Sequence, residues 1–195
     1  MIPVERAPEP SYFDAEIREP GTRWLASHPE DERPHPYWLR CIRELRDEFS
    51  GRCAYAAMSL FSDDTVDHFL SVKNHRERTY EWANYRYASS SINSIKKNAD
   101  ESILDPFEIG RGWFEILLPS LQMRCTAAIP AEYRGKAEYT LKRLKLRDGE
   151  SMIRWRESWY ALYRDGRLTL DGLRMVAPLI AEAIERTASA APKRL

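Results

Sequence analysis

The sequence lacks three features that would assign a protein class at once: paired cysteines, a long apolar run and an excess of one charge. Its 195 residues include three cysteines, Cys41, Cys53 and Cys125, an odd and widely spaced set that predicts reduced thiols rather than a disulfide framework. No apolar run reaches the roughly 18–20 residues needed to cross a bilayer. The proline- and acid-rich beginning resembles neither a signal peptide nor a transit sequence. We therefore expect a cytoplasmic protein.

The charge of the chain is balanced, with 30 Lys and Arg against 30 Asp and Glu, so composition alone gives no indication of nucleic-acid binding. Local counts are more informative. Residues 1–36 hold eight acids and four arginines, whereas residues 71–97 hold six bases and two acids. A basic segment behind an acidic one suits phosphate binding, although ordinary solvated faces explain the charges equally well.

The order of residue types along the chain predicts three regions. Seven of the twelve prolines precede residue 37, which favours an extended, proline-rich acidic arm over residues 1–36 with short helical turns at most. Residues 37–165 carry the motifs and form the expected main domain, and residues 166–195 the expected C-terminal helix and tail. A hydrophobic fraction of 43 % is enough for a core.

Residue periodicity predicts an α+β fold, a small ββα core embedded in a mainly helical frame. Helical spacing follows residue 37, and residues 53–67 suit a hairpin. A helix is expected over residues 94–100, with Ser89, Ser90 and Ser91 as candidate caps. Two strands separated near Pro119 and three C-terminal helices complete the prediction, the last of them kinked or divided at Pro178.

Four polar residues stand out as candidates for chemistry. Asp67 and His68 offer a hard oxygen ligand beside a nitrogen base, a pairing suited to a divalent metal next to a general base acting on water. Asn84 follows Trp82 in a short aromatic stretch, and Asn93 lies at the start of the predicted helix. An isolated Asp-His pair is more often a surface or capping arrangement. The indication of a catalytic site therefore rests on the occurrence of this pair together with Asn84 and Asn93.

The stretches VDHF, YEWANY and INSIK resemble the HNH endonucleases, the His-Asn-His nucleases with a ββα-metal core. In that family a strand ends in Asp-His or Glu-His, a loop carries an Asn, and a helix opens with His or Asn followed three residues later by Lys. The nine-residue interval from Asn84 to Asn93 is the family's usual one. The stretch ILDPFEIGRGWFEILLPSLQM further resembles the subgroup found beside ATPases in bacterial anti-phage systems.

The resemblance implies a role for each candidate. His68 would be the general base that activates a water, Asp67 and Asn93 would bind one catalytic divalent ion, Mg²⁺ or Mn²⁺, and Asn84 would orient the base or its loop. The implied reaction is hydrolysis of phosphodiester bonds in DNA, or in RNA, with an ATPase as a candidate partner subunit in phage defence and no membrane partner. The basic side chains expected to contact the nucleic acid are Lys73, Arg86, Lys96 and Lys97.

The chain departs from the family at the positions of a structural zinc. Many HNH proteins hold zinc between two Cys-x-x-Cys knuckles, and the corresponding positions here are Cys53 with Ala56 and Ser89 with Ile92. One cysteine cannot hold a tetrahedral zinc, so no structural zinc is expected. Met58, Ile92, Phe61 and the aromatic residues of 80–87 are expected to pack in its place.

Two other hypotheses remain open. The chain could be a catalytically inactive HNH-like subunit that serves as a protein-interaction module. It could also bind nucleic acid without cutting it, through the basic residues of 71–97. Metal-stimulated cleavage that depends on His68 would separate the nuclease from both.

Overall fold

The computed structural model describes residues 1–190, which form an α+β protein as predicted. None of the described helices is both long and apolar enough to cross a bilayer. The α-helices are α1 Glu19–Ser27, α2 Ile42–Glu48, α3 Ser90–Lys96, α4 Ala131–Arg143, α5 Glu150–Arg164, α6 Leu170–Val176 and α7 Pro178–Ala190. The strands are β1 Asp64–His68, β2 Tyr85–Ser89, β3 Phe114–Leu117 and β4 Gln122–Cys125. Short 3₁₀ turns lie at Tyr37–Cys41, Arg76–Arg78, Trp82–Asn84, Asp100–Ser102 and Pro106–Glu108.

The centre of the molecule is a ββα unit formed by β1, β2 and α3. The two strands pair antiparallel, with Asp64 opposite Ser89 and His68 opposite Tyr85. Helix α3 follows β2 without a linker and packs against both strands. The Ser89 Oγ accepts a hydrogen bond from the backbone N–H of Ile92 at 3.3 Å and so caps the helix.

Two boundary predictions around this unit are wrong. The hairpin expected within residues 53–67 is only a bridge between Arg52 and Ser59, because β1 takes its partner from residues 85–89, across a long loop. The helix expected over residues 94–100 begins at Ser90 and ends at Lys96, because Ser89 supplies the cap and Lys97 adopts a left-handed conformation with φ 51°.

The arm is not extended over its whole length. Residues 14–27 form one continuous helical segment, a π-helical turn that leads into α1. Pro20 lies in the first turn of α1, at the junction between the π-helical turn and the α-helix. Phe13 and Ile17 are fully buried, and the Phe13 ring packs against Tyr85 of β2 at 5.9 Å between centroids. The arm therefore covers one face of the ββα unit.

The C-terminal half follows the prediction closely. β3 and β4 form an antiparallel hairpin around Pro119, and helices α4 and α5 follow. The final helical stretch is divided at Pro178, which opens α7 directly after the end of α6. Helix α7 packs on β3, so this half forms a frame beside the ββα unit.

Candidate active site

Asp67 and His68 are consecutive residues at the carboxyl end of β1, and their side chains have different surroundings. Neighbouring residues of a strand point to opposite faces, and the contacts follow that rule. The Asp67 carboxylate lies on the side of α3, beside Tyr55 and Lys96. The His68 ring lies on the side of the arm and the loop between the strands, against Trp38.

The orientation of the His68 ring is fixed from two sides. Trp38 and Tyr85 each meet it edge to face, with centroids 4.7 and 5.1 Å away. Its Nε2 lies 2.9 Å from the backbone oxygen of Thr79. A carbonyl oxygen can only accept, so Nε2 carries the proton and donates it. The tautomer therefore leaves the Nδ1 lone pair free.

The Nδ1 atom of His68 is unpaired among the described residues and not fully enclosed. Within residues 1–190 it has no hydrogen-bond partner, yet it is not one of the enclosed polar atoms. Burial of the ring lowers the pKa of His68 to about 4; nearby Asp67 and the Thr79 bond oppose that effect. The imidazole is consequently neutral at physiological pH. A neutral ring with an accessible acceptor nitrogen is the state that a general base requires.

Asn84 holds the loop that carries the Thr79 carbonyl. Its Oδ1 accepts the backbone N–H of Leu70 at 2.7 Å, and its Nδ2 donates to the backbone oxygens of Leu70 and Arg78 at 2.9 and 3.1 Å. Asn84 is itself 5 % exposed. These bonds connect the residues that follow β1 to the residue before Thr79, so Asn84 positions the loop and, through it, the His68 ring.

The Asp67 carboxylate is enclosed and paired. It is 1 % exposed, and its Oδ2 accepts a hydrogen bond from the Tyr55 hydroxyl at 2.6 Å. The Lys96 ammonium, fully buried, lies 3.1 Å from Oδ1 and donates to the backbone oxygen of His68 at 2.7 Å. The 3.1 Å contact is an ion pair outside hydrogen-bond geometry, since Oδ1 has no hydrogen-bond partner among residues 1–190.

This arrangement does not fit the divalent ion expected at Asp67. An ion bound to Oδ1 at about 2.1 Å would lie within roughly 5 Å of the Lys96 nitrogen. The repulsion between a double and a single positive charge at that distance is roughly 6 kcal/mol at an effective dielectric constant of 20. The part of the chain that is described also contains no cluster of three His, Cys, Asp or Glu side chains suited to a metal.

Asn93, the second expected metal ligand, lies on α3 one turn before Lys96. Its side chain is partly exposed and makes no hydrogen bond to any residue from 1 to 190, so the amide is open to a ligand. Residues three apart share one face of a helix, which places Asn93 on the side of α3 that presents Lys96 to Asp67.

The expected nucleic-acid contacts fall into two pairs. Lys73 and Lys97 are exposed, as a phosphate contact requires. Arg86 and Lys96 are 2 % and 0 % exposed, so the expectation that they meet phosphate is corrected. The Arg86 guanidinium makes a two-pronged ion pair with Asp105, whereas Lys96 is paired with Asp67.

The positions at which the resemblance would place a structural zinc have other roles in the fold. Cys53 and Ile92 are buried in the core, and burial raises the pKa of the Cys53 thiol. Ser89 caps α3. Met58 is buried as expected, but Phe61 is not a packing substitute, because it is 81 % exposed and lies at the surface against Trp159, with centroids 5.2 Å apart.

Three partners of the site were not predicted from the sequence. Tyr55 lies in a short irregular segment, and Asp105 was assigned only to a turn before Pro106. Tyr55 contacts Asp67, and Asp105 contacts Arg86, but no helical or strand periodicity links either pair in the sequence, so the contacts could not be predicted. Thr79 contacts His68 through its backbone oxygen. Every residue has such an oxygen, so the residue type could not predict this contact.

Comparison with known proteins adds no assignment. No model of a protein family matches the chain, and no curated protein matches it.

Proposed function

We propose that the chain is an HNH-type endonuclease that hydrolyses phosphodiester bonds of DNA, with RNA as the alternative substrate and His68 as general base. The observation that carries the proposal is the bond from His68 Nε2 to the Thr79 oxygen, which leaves Nδ1 free and accessible on a neutral ring. The ββα order of β1, β2 and α3, with Asn84 holding the loop, supports it further.

In the proposed reaction Nδ1 takes a proton from a water molecule, and the resulting hydroxide attacks the phosphorus. The bond from phosphorus to the leaving oxygen breaks, that oxygen takes a proton from solvent, and the ring returns its own proton to solvent. The positive charge that forms on the ring is stabilised by the Thr79 oxygen, 2.9 Å from Nε2. A phosphodiester bound at the end of β1 brings a negative charge close to His68. That charge raises the pKa of the ring above the low value of the free protein, which makes the imidazole a stronger base when substrate is present.

The setting of the reaction comes from the resemblance rather than from the geometry. It comprises a cytoplasmic protein that acts in bacterial phage defence, an ATPase as its partner subunit, and a divalent ion, Mg²⁺ or Mn²⁺, at Asp67 and Asn93. For that ion to bind, the Lys96 ammonium must leave Asp67. The two exposed lysines, Lys73 and Lys97, are the proposed phosphate contacts.

Cleavage of supercoiled plasmid and of labelled single-stranded RNA tests the proposal. The wild-type protein is incubated with Mg²⁺ or Mn²⁺, with and without the partner ATPase. We expect His68→Ala to lose at least about 100-fold in rate, because a positioned base contributes 10²–10⁴-fold. His75→Ala is the matched control, since His75 lies in the loop after β1 and is expected to retain the wild-type rate.

Equal cleavage by the wild type and His68→Ala, with each metal and with the partner, would refute the nuclease assignment. Circular dichroism of both variants checks that a lost rate does not reflect a lost fold.

A second candidate is favoured by the closed Asp67–Lys96 pair. In a catalytically inactive HNH-like subunit, a buried ion pair at the metal position serves only the fold, and the surface binds a partner protein. That function predicts that His68→Gln still co-purifies with a stoichiometric partner and that the complex retains its activity. Loss of the complex's activity in His68→Gln would favour the nuclease instead.

A further inference from the structure

The Lys96 ammonium contacts two oxygen atoms that could otherwise bind a metal ion. It lies 3.1 Å from Asp67 Oδ1 and donates to the backbone oxygen of His68 at 2.7 Å. Both are oxygen atoms, the ligand type that Mg²⁺ and Mn²⁺ prefer. The Asp67 Oδ1 atom is enclosed and has no hydrogen bond within residues 1–190, so the charge of Lys96 is its compensation.

The charges around this pair are balanced. On the same face of the β1–β2 ladder, Arg86 pairs with Asp105, so two ion pairs lie next to each other. Tyr55 donates its hydroxyl to Asp67 and is uncharged, because burial and the charge of Asp67 raise its pKa. Without the charge of Lys96 the group would hold one uncompensated negative charge in the interior.

The same helix carries one further amide oxygen near Lys96 in sequence. Asn93 precedes Lys96 by one turn of α3, and its amide is open and makes no hydrogen bond within the described chain. If the ammonium were absent, Asp67 Oδ1 and the His68 backbone oxygen would be two hard ligands without a cation, and water would complete the shell of an ion bound there.

We propose that Lys96 is a built-in competitor for the divalent cation, which holds the place of the ion at Asp67 and thereby limits the affinity of the site for metal. The inference rests on the proposed function, which assigns the metal to Asp67 and Asn93. It adds a regulator, since any event that moves α3 or Lys96 away from Asp67 opens the site to an ion.

Mn²⁺ binding to the purified full chain tests the inference. Titration calorimetry and the shift of the melting temperature are measured for the wild type and for Lys96→Met, which keeps an unbranched apolar side chain of nearly the same length and removes the charge. We expect Lys96→Met to bind Mn²⁺ at least tenfold more tightly than the wild type. We also expect it to melt at a higher temperature with Mn²⁺ than with EDTA, because the ion replaces the lost ammonium.

Two controls accompany that variant. Lys97→Met removes the neighbouring exposed charge and is expected to bind Mn²⁺ as the wild type does. Asp67→Asn/Lys96→Met removes both charges of the pair and is expected to fold and to show no gain in Mn²⁺ affinity. Retention of the gain in this double variant would place the ion elsewhere and overturn the inference.

Equal Mn²⁺ affinity in the wild type and Lys96→Met would also overturn it. So would a Lys96→Met protein that stays unfolded with Mn²⁺ while the double variant folds. Failure of the nuclease proposal is distinguishable, because that proposal is tested by cleavage with His68→Ala, and no Lys96 variant enters that test. A gain of Mn²⁺ binding in Lys96→Met without cleavage by the wild type would support the competitor and refute the nuclease.

Discussion

The two faces of the β1–β2 ladder show contrasting chemistry around two adjacent residues. On the α3 face, Asp67 is enclosed with Lys96 and Tyr55 in a charge-neutral group. On the opposite face, the His68 ring lies between two aromatic rings, and its Nδ1 atom is accessible. One side of the predicted centre is therefore fully paired, and the other leaves a ring nitrogen without a partner within the described residues.

The contrast separates the proposed base from the proposed metal ligand. The base depends on packing and one backbone bond, both of which are present. The proposed metal position requires an uncompensated carboxylate, whereas Asp67 is paired with Lys96. The geometry expected of a general base and that expected of a metal ligand are therefore not found together in these two adjacent residues. Four predictions test the comparison, in order of expected effect.

The largest effect is expected on the closed face. Lys96→Ala leaves the Asp67 carboxylate buried without its partner, and breaking a buried pair in this way costs about 3–5 kcal/mol in the free energy of unfolding. Urea denaturation in EDTA measures the loss. Lys97→Ala, an exposed neighbour, should change stability by less than about 0.5 kcal/mol. A similar value for both variants would mean that Lys96 is solvated.

The open face is expected to respond to acid. Burial lowers the pKa of His68 to about 4 in the fold, from about 6.5 in the unfolded chain. The unfolded chain therefore binds the proton more readily, and the stability from neutral His68 is present above pH 6.5 and lost as the pH falls towards 4. A complete loss amounts to about 3 kcal/mol.

Urea titrations at several pH values compare the wild type with His68→Gln, which cannot take up this proton. Between pH 7 and 4 the wild type should lose about 3 kcal/mol more than the variant. If the free energy of unfolding changed with pH equally in the two proteins, the His68 ring would be solvated rather than buried.

A smaller loss is expected at the loop that joins the two strands. Asn84→Ala removes three hydrogen bonds and leaves the Leu70 amide unpaired, which should cost about 2 kcal/mol. The same substitution should accelerate hydrogen exchange of the backbone amides near Leu70 and Arg78. If exchange rises across α4 and α5 equally, Asn84 stabilises the whole fold and not the loop that carries Thr79.

The smallest effect concerns the helix that carries Lys96 and Asn93. Ser89→Ala removes the cap of α3 and should lower the free energy of unfolding by about 1 kcal/mol. Ser94→Ala on the exposed side of the same helix is the control, with little change expected. Equal losses would show that the Ser89 hydroxyl contributes no cap.

Much of the frame could be predicted because local signals decide it. Pro178 divides the last helices, and the strands around Pro119 pair as a hairpin, since both features depend on neighbours in sequence. The helical segment over residues 14–27 could not be predicted from its prolines, because the burial of Phe13 and Ile17 against the ββα unit outweighs local preference.

The candidate site was predictable in its residue types but not in its pairing. Asp67, His68 and Asn84 were recognisable from motif spacing, whereas Lys96 was expected at the surface. The sequence around a lysine three residues after Asn93 does not show whether its ammonium contacts a phosphate or a buried carboxylate. Only the packing of α3 on β1 decides that its stem crosses the interior and its ammonium reaches Asp67.

The central claim is that His68 is neutral at physiological pH, with its proton on Nε2 and its Nδ1 free. ¹⁵N NMR of the imidazole nitrogens of ¹⁵N-histidine-labelled protein at pH 7 measures this directly, with His68→Gln to assign the signal. The account predicts an Nε2–H tautomer with a proton-free Nδ1, retained at pH 5.5. A proton on Nδ1, or an imidazolium at pH 7, would contradict it.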